Sequence, residues 1–228
     1  MADGDTDGAS SPRTVRPGLL VETAIEHLRQ EILSGGRQPG QRVQESVLAR
    51  DLGMSRAPVR EALRVLAQSG LLVKNPNQSY TVRAFTDEDL YELATLRINL
   101  ESFAARLAFD TPETRERLEE PLRALRRAED DRDAGAAFHA DQQFHRALVQ
   151  SAHHSRLLRS YDGLTDEIEL ALRSNDRARP SLAGITERHL ALARGFEGGS
   201  VETLVQDLTE HIRAGSGLSH LAMYLSRS

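Results

Sequence analysis

Apolar residues recur three or four positions apart through most of this chain, the period of a helix packed on one side. From about Gly18 to Leu33, Val21, Ile25, Leu28 and Ile32 keep that spacing, and Ser34-Gly35-Gly36 and Pro39-Gly40 then break the helix and turn the chain. A short second helix is predicted from about Gln44 to Asp51, carrying Val47 and Leu48, with Leu52 just beyond. After a turn at Gly53, Val59, Ala62, Leu63 and Leu66 mark a third. Ser55 is its N-cap, Pro58 sits in the first turn, where N–H groups lack helical partners, and Gly70 closes it as a left-handed residue. The pattern then changes. Leu71-Leu72-Val73-Lys74 and Tyr80-Thr81-Val82-Arg83 read as strands joined by the loop Asn75-Pro76-Asn77-Gln78-Ser79. Helix, helix, turn, helix and hairpin is the order of a winged helix-turn-helix, whose third helix enters a DNA groove.

Beyond residue 84 the periodicity is helical throughout. Helices are predicted at about 87–109, 112–131, 133–152, 155–175, 181–197 and 200–225. The breaks are Asp110-Thr111-Pro112, Asp133, His153-His154, Ala178-Arg179-Pro180 and Gly198-Gly199. Six long helices with short connections predict an antiparallel bundle, and no longer repeat suggests a solenoid. The expected fold is therefore mainly α: an N-terminal winged helix-turn-helix over 13–83, then an all-α antiparallel six-helix bundle over 84–228. Residues 1–12 are small, polar and acidic and are expected to be disordered.

Charge divides the chain at the same place. Residues 12–83 carry a net charge of +5, and residues 84–228 a net of -7. A nucleic-acid partner thus suits the first module only. Aromatic residues make up 4% of the chain and Trp is absent, so the core must be built from Leu, Ala, Val and Ile. Without cysteine there is no disulfide or thiolate chemistry. No eighteen-residue apolar run and no signal-peptide pattern occurs, so a cytoplasmic protein without a membrane span is expected.

Within the third helix, Arg56, Arg60 and Arg64 recur every four residues beside the apolar face. A ridge of guanidinium groups can bind guanine O6 and N7 in the major groove, although on an isolated helix it would only be a solvated basic face. In the bundle, the informative residues are those that interrupt apolar stripes. The third bundle helix runs inward through Ala137/Phe138, Asp141, Phe144/His145, Leu148 and Ala152. The fifth runs through Leu182, Ile185, His189, Leu192 and Phe196, and the sixth through Val201, Leu204, Leu208, His211, Gly215 and Leu218. A single histidine on such a stripe is ordinarily a hydrogen-bonded core residue. Three of them with a buried aspartate make a divalent cation, held by neutral imidazoles and one carboxylate, the reading that compensates Asp141. On the first bundle helix Arg97 also falls in line with the core. It either pairs with Glu101 four residues on or binds a carboxylate ligand. Tyr161 and Asn175 lie on the inward face of the expected fourth helix, where they can line the same cavity.

The stretch Leu52-Gly53-Met54-Ser55-Arg56, Pro58-Val59-Arg60-Glu61-Ala62-Leu63 and Gly70-Leu71-Leu72 resembles the DNA-binding domain of the GntR family of bacterial transcription regulators. The resemblance implies that Arg56 and Arg60 read or clamp an operator; Arg64 is expected to touch phosphate or nothing, and Ser55, Asn77 and Gln78 complete the expected DNA-binding residues. The wing tip departs from the family, with Asn77-Gln78-Ser79 where a glycine is expected. The bundle resembles the FCD ligand-binding domain of the FadR branch, in Asp141 and His145 of Asp-Gln-Gln-Phe-His, His189 of Glu-Arg-His and His211 of Glu-His-Ile. That likeness implies a bound divalent metal, zinc first and nickel or manganese next. It also favours Arg97, in Leu-Arg-x3-Glu, as a pocket residue. The usual glycine–asparagine pair after the DxxxH helix is replaced by His153-His154.

These features lead to the expectation of a homodimeric regulator, a repressor, bound to a pseudo-palindromic double-stranded operator and controlled by a small carboxylate or sugar-acid effector at the metal site. Two alternatives stand beside it. The metal can stabilise a dimeric regulator that senses nothing, or it can serve a hydrolase fused to a DNA-binding domain. An enzyme is not expected, because no inward general base other than Glu101 accompanies the ligands.

Overall fold

The computed structural model describes residues 17–77, 79–175 and 182–217. The N-terminal tail, Gln78, the Ala178-Arg179-Pro180 break and Leu218 lie outside them. The head begins with α1 (Pro17–Leu33), β1 (Arg42–Val43), α2 (Glu45–Asp51) and α3 (Arg56–Gln68), and continues with β2 (Leu72–Lys74) and β3 (Tyr80–Val82). Leu28, Leu48, Val59, Leu63, Leu66 and Val82 bury together between the helices and the sheet. The apolar face of α3 is thereby spent inward, and Arg56, Arg60 and Arg64 stay exposed.

The head differs from the sequence reading in three places. The sheet has a third strand: β1 pairs antiparallel with β3, Arg42 opposite Thr81 and Val43 opposite Tyr80, in the order β1-β3-β2. Two residues are too few to show a period, so this strand is invisible in the pattern. Ser55 occupies the N-cap in extended backbone, but its side chain makes no capping hydrogen bond. At the wing tip, Asn77 Oδ1 accepts from the Ser79 amide at 3.3 Å and from Ser79 Oγ at 2.6 Å, so its side chain braces the turn.

The remaining elements form the bundle: α4 (Asp87–Ala108), α5 (Pro112–Asp130), α6 (Ala134–Ser151), α7 (Ser155–Asp162), α8 (Thr165–Ser174), α9 (Ile185–Gly195) and α10 (Val201–Gly215). Thr86 and Asp89 make a capping box at the start of α4, and Asp133 caps α6 by accepting from the Gly135 and Ala136 amides. His153 adopts a left-handed φ of 49°, and His154 Nδ1 accepts from the Leu157 amide to cap α7. The single helix expected over 155–175 is two, α7 and α8, broken at Gly163-Leu164. Glycine costs about 1 kcal/mol relative to alanine inside a helix, which makes this the weak point of an otherwise continuous stripe. Among the described residues no helix is long and apolar enough to cross a membrane.

The break gives α8 a separate job, because it packs against both halves of the molecule. Its Leu170 joins the buried core of the head. Asp166 accepts from Arg29 Nε at 2.7 Å, and Glu167 lies 3.5 Å from Arg83 Nε, which also donates to the Gly70 carbonyl at 2.8 Å. Gly70, at φ +81°, is required here twice over. A side chain is strained in that conformation, and a Cβ would stand 2.6 Å from Glu167 Oε2. The opposite side of α8, through Ile168, Ala171 and Leu172, faces the bundle cavities.

Candidate metal centre and nucleic-acid face

The inward stripes of α6, α9 and α10 bring Asp141, His145, His189 and His211 together, with one ligand-type atom from each lying within 4.8 Å of all the others. Helical spacing explains the α6 pair, since residues four apart share a face. Phe144, between them in sequence, closes the cluster with edge-on contacts to His145 and His189, at ring centroids 5.6 and 4.8 Å away.

Backside partners decide which nitrogens face the centre. His145 Nδ1 lies 2.6 Å from Glu101 Oε2, and His189 Nδ1 lies 2.8 Å from the Ile185 carbonyl. Both partners only accept, so Nδ1 donates in each ring and Nε2 is the nitrogen turned to the centre. His189 Nε2 lies 3.0 Å from Asp141 Oδ1, yet this buried atom has no aligned hydrogen-bond partner. His145 Nε2 lies 3.3 Å from His211 Nε2. Gln142 holds the other carboxylate oxygen of Asp141 at 3.1 Å. In the neutral form of the two braced rings, both Nε2 atoms are acceptors beside the Asp141 carboxylate, which is the donor set a divalent cation takes. A divalent cation satisfies that arrangement, and three imidazoles with one carboxylate suit zinc, nickel or manganese.

Behind the cluster stands Glu101, fully buried on α4. It accepts from Arg97 Nε at 2.8 Å and Tyr161 Oη at 3.0 Å besides contacting His145. Burial pushes its pKa up, but His145 in its protonated form and Arg97, each also donating a hydrogen bond, prevail and hold it at about 2. Asp141 stays well below the usual carboxylate range against its own burial, held there first by a poorly aligned hydrogen bond from His189 and then by the charges of protonated His145 and His189 and of Arg97. Burial works against Arg97 too, and the Glu101, Tyr161 and Asp141 oxygens outweigh it and raise its pKa. Tyr161 is pushed up by burial and by Glu101. His211 goes the other way: burial first, then His145 and His189, lower it to about 3, so it is neutral at pH 7 as a ligand must be.

The expected pocket residues separate. Arg97 forms the ion pair with Glu101 and also lines a cavity of about 30 Å³ beside Asp141, His145 and His211. Tyr161 does not line it; it is fully buried and reaches the cluster through Glu101. Asn175 caps the end of α8, donates to the Ser216 carbonyl at 3.2 Å and borders a second cavity of about 20 Å³ with Arg97. Reading the stripes placed Glu101 in line but did not show that it orients His145. That role depends on a contact 44 residues away in sequence.

On the head, Arg60 forms a bidentate pair with Glu45 of α2, at 2.9 and 2.8 Å. Arg64 pairs likewise with Glu61 at 3.2 and 2.7 Å. Arg60, Arg64 and Glu61 are exposed and Glu45 is half-buried, and such surface pairs are weak enough to exchange for phosphate or base contacts. Glu45, which the sequence reading passed over, holds Arg60 in place. Arg60, Arg64, Gln68 and Lys74 line one groove between α3 and the wing.

A winged helix-turn-helix joined to a helical bundle is the architecture of a DNA-binding regulator, here with a cluster of metal-ligand-type side chains in its second domain. Residues 20–82 match the family described as "Bacterial regulatory proteins, gntR family", and residues 92–214 match the FCD domain. The chain belongs to the GntR family and carries an FCD domain. It is 31% identical over 209 residues to a protein of Paenarthrobacter nicotinovorans named "Probable D-xylose utilization operon transcriptional repressor", covering 90% of this chain and 91% of that one. The "Uncharacterized HTH-type transcriptional regulator YdhC" of Bacillus subtilis is 31% identical over 147 residues, spanning 62% of this chain and 64% of the relative. The crystal structure of a transcriptional regulator GntR from Rhodococcus sp. RHA1 superposes with a TM-score of 0.75 at 25% identity, covering 89% of this chain and 98% of that one.

The depressed His211 pKa fixes one pH dependence. The unfolded chain takes up a proton near pH 6.5 that folded, metal-free His211 refuses until about 3, so its stabilising contribution is complete above 6.5 and lost as pH falls. Urea unfolding of metal-free protein at pH 7, 6 and 5 should show a loss approaching 1.4 kcal/mol per pH unit, about the ceiling for one proton. His211→Leu should flatten that slope. Equal slopes in the two proteins would remove His211 as the cause.

Proposed function

We propose that this GntR-family regulator is a repressor that binds its operator as a homodimer, with a divalent metal at Asp141, His145, His189 and His211 and a small organic acid as effector. The observation that carries the metal reading is the convergence of three imidazoles and one carboxylate, with one ligand-type atom from each within 4.8 Å of the others in a largely buried cluster. When bound, the metal supplies a Lewis-acidic centre for an anionic oxygen. The chain supplies the rest. Glu101 and the Ile185 carbonyl orient His145 and His189, Gln142 turns one Asp141 oxygen inward, and Arg97 adds a fixed positive charge at the cavity wall. An acid bound there shifts operator affinity only as far as it prefers one state of the bundle over another. Glu101, already engaged by three partners, is poorly placed to act as the free base that a hydrolase reading requires. The name of the Paenarthrobacter relative supports repression.

Arg56 and Arg60 are proposed as the operator-reading residues and Arg64 as a phosphate contact, with Ser55 beside them. The Ser55 hydroxyl, unused in capping, is available to a phosphate oxygen. Asn77, committed to the wing turn, contributes by shaping the tip. The dimer reading draws on an apolar stripe along α4, where Leu96, Phe103 and Leu107 are 45%, 47% and 45% exposed.

Arg60→Ala should abolish specific footprinting of the operator at physiological salt while leaving the helical circular dichroism spectrum unchanged; a normal footprint would remove α3 as the reader. The paired substitution His189→Ala and His211→Ala should drop metal content from about one equivalent per chain to near none by elemental analysis, and unchanged content would overturn the centre. Arg97→Lys, which keeps the charge but loses the guanidinium fork, should shrink the melting shift produced by an acid screen. A shift equal to the parent's would leave Arg97 an ion-pair residue only. Phe103→Glu should convert the dimer to monomer in sedimentation and weaken operator binding with it. A dimer that survives this change would place the interface elsewhere.

A further inference from the structure

Leu172, on the last turn of α8, is a wall common to three cavities. One of about 20 Å³ lies beside Arg97 and Asn175, and one of about 30 Å³ lies over Asp141, His145 and His211. The third, about 400 Å³, opens between the head and the bundle, against Ser34 at the end of α1 and Ala134 at the start of α6. Phe138 is a second wall shared by the cluster cavity and the large cleft. Room of 20–30 Å³ holds about one water molecule, so the carboxylate of an acid fits near Arg97 but the rest of the molecule does not. The volume for that remainder lies across Leu172 and Phe138.

We infer that Leu172 and Phe138 form a gate, and that the effector is an acid with an apolar, preferably aromatic, arm that passes the gate into the cleft and touches the DNA-binding head. This rests on the organic-acid reading above and narrows it. The cleft presents Leu33, Ala137, Phe138, Leu182 and Ile185, with Ser34 and Arg173 as its polar side chains. The hydroxyls of a sugar acid would face apolar walls with few partners, whereas an aromatic arm gains by desolvation and by stacking. Arg173 already lies 4.3 Å over the Phe138 ring, in position to cap a second ring. Arg173 Nε also donates to Glu169 at 2.9 Å, and Glu169 lies 3.9 Å from Arg29 of the head. An arm that displaces Phe138 thus disturbs a chain of contacts ending on α1, which gives the ligand a direct hold on the head as well as an indirect one through the bundle.

The test is calorimetric titration of the zinc-loaded full chain with acetate, gluconate, phenylacetate and 5-phenylvalerate. The expected result is 5-phenylvalerate at least tenfold tighter than acetate or gluconate, with phenylacetate between. Ser34→Trp and Ala134→Trp, both at exposed positions, fill the cleft from its two sides. Either should cut the ratio of 5-phenylvalerate to acetate affinity to threefold or less, with zinc content by elemental analysis unchanged. Binding of acetate or gluconate with no gain from the aryl arm overturns the extended site alone. A gain that survives both tryptophans does the same. Failure of every acid to bind zinc-loaded protein overturns the effector reading itself, and this inference with it.

Discussion

The bundle depends on one buried carboxylate. Glu101 is inaccessible to water and accepts from Arg97 and Tyr161 while holding His145. A lone ionised carboxylate in such a place would be prohibitively costly, and removing one partner of a buried charge pair typically costs about 3–5 kcal/mol. Its three partners come from α4, α6 and α7, so the ion network fixes the relative placement of three helices. It also holds Nδ1 of His145 and so turns Nε2 of that ring to the centre. Stability and chemistry share the same atoms.

From there the constraint passes outward in two directions. Arg97, held by Glu101, reaches the small cavities that border α8. On its other side α8 meets the head through Leu170, Asp166 and Glu167. A ten-residue helix thus lies between the cluster and the DNA-binding half. The break at Gly163-Leu164 matters for this reason, since a continuous helix from Ser155 would tie the orientation of α8 to α7 and so to Tyr161 and Glu101. Separated, α8 takes its own direction between head and bundle while α7 keeps Tyr161 on Glu101.

Much of this was legible without coordinates. The stripes placed Asp141, His145, His189 and His211 inward because a helix with one packed face repeats every 3.6 residues, and a polar residue on that face stands out at once. The ridge of Arg56, Arg60 and Arg64 was legible for the same reason on the opposite face. Periodicity did not reveal partners. Glu101 read as half of a local pair with Arg97, because four-residue spacing is visible in sequence and a contact with His145 is not. Tyr161 read as a pocket residue because inward is the only direction a stripe gives; whether inward means cavity or solid core depends on neighbours from other helices. Strand β1 was missed because two residues carry no period, and the Ser55 hydroxyl was assigned to capping on residue type alone.

By itself, then, the sequence determined the order of the elements apart from β1 and the α7–α8 break, the charge division at residue 84 and which side chains face inward or outward, all of which follow from local spacing and composition. The tertiary structure decided what those side chains meet. It set four ligand-type atoms within 4.8 Å, turned two imidazoles by their backside acceptors, and laid α8 across the seam between head and bundle. The physical reason is that periodicity fixes a direction relative to one helix axis, whereas a site is fixed by the distances between several. Those distances are set by packing and by buried charges that must find partners, and in this chain the charge that orders the others is that of Glu101.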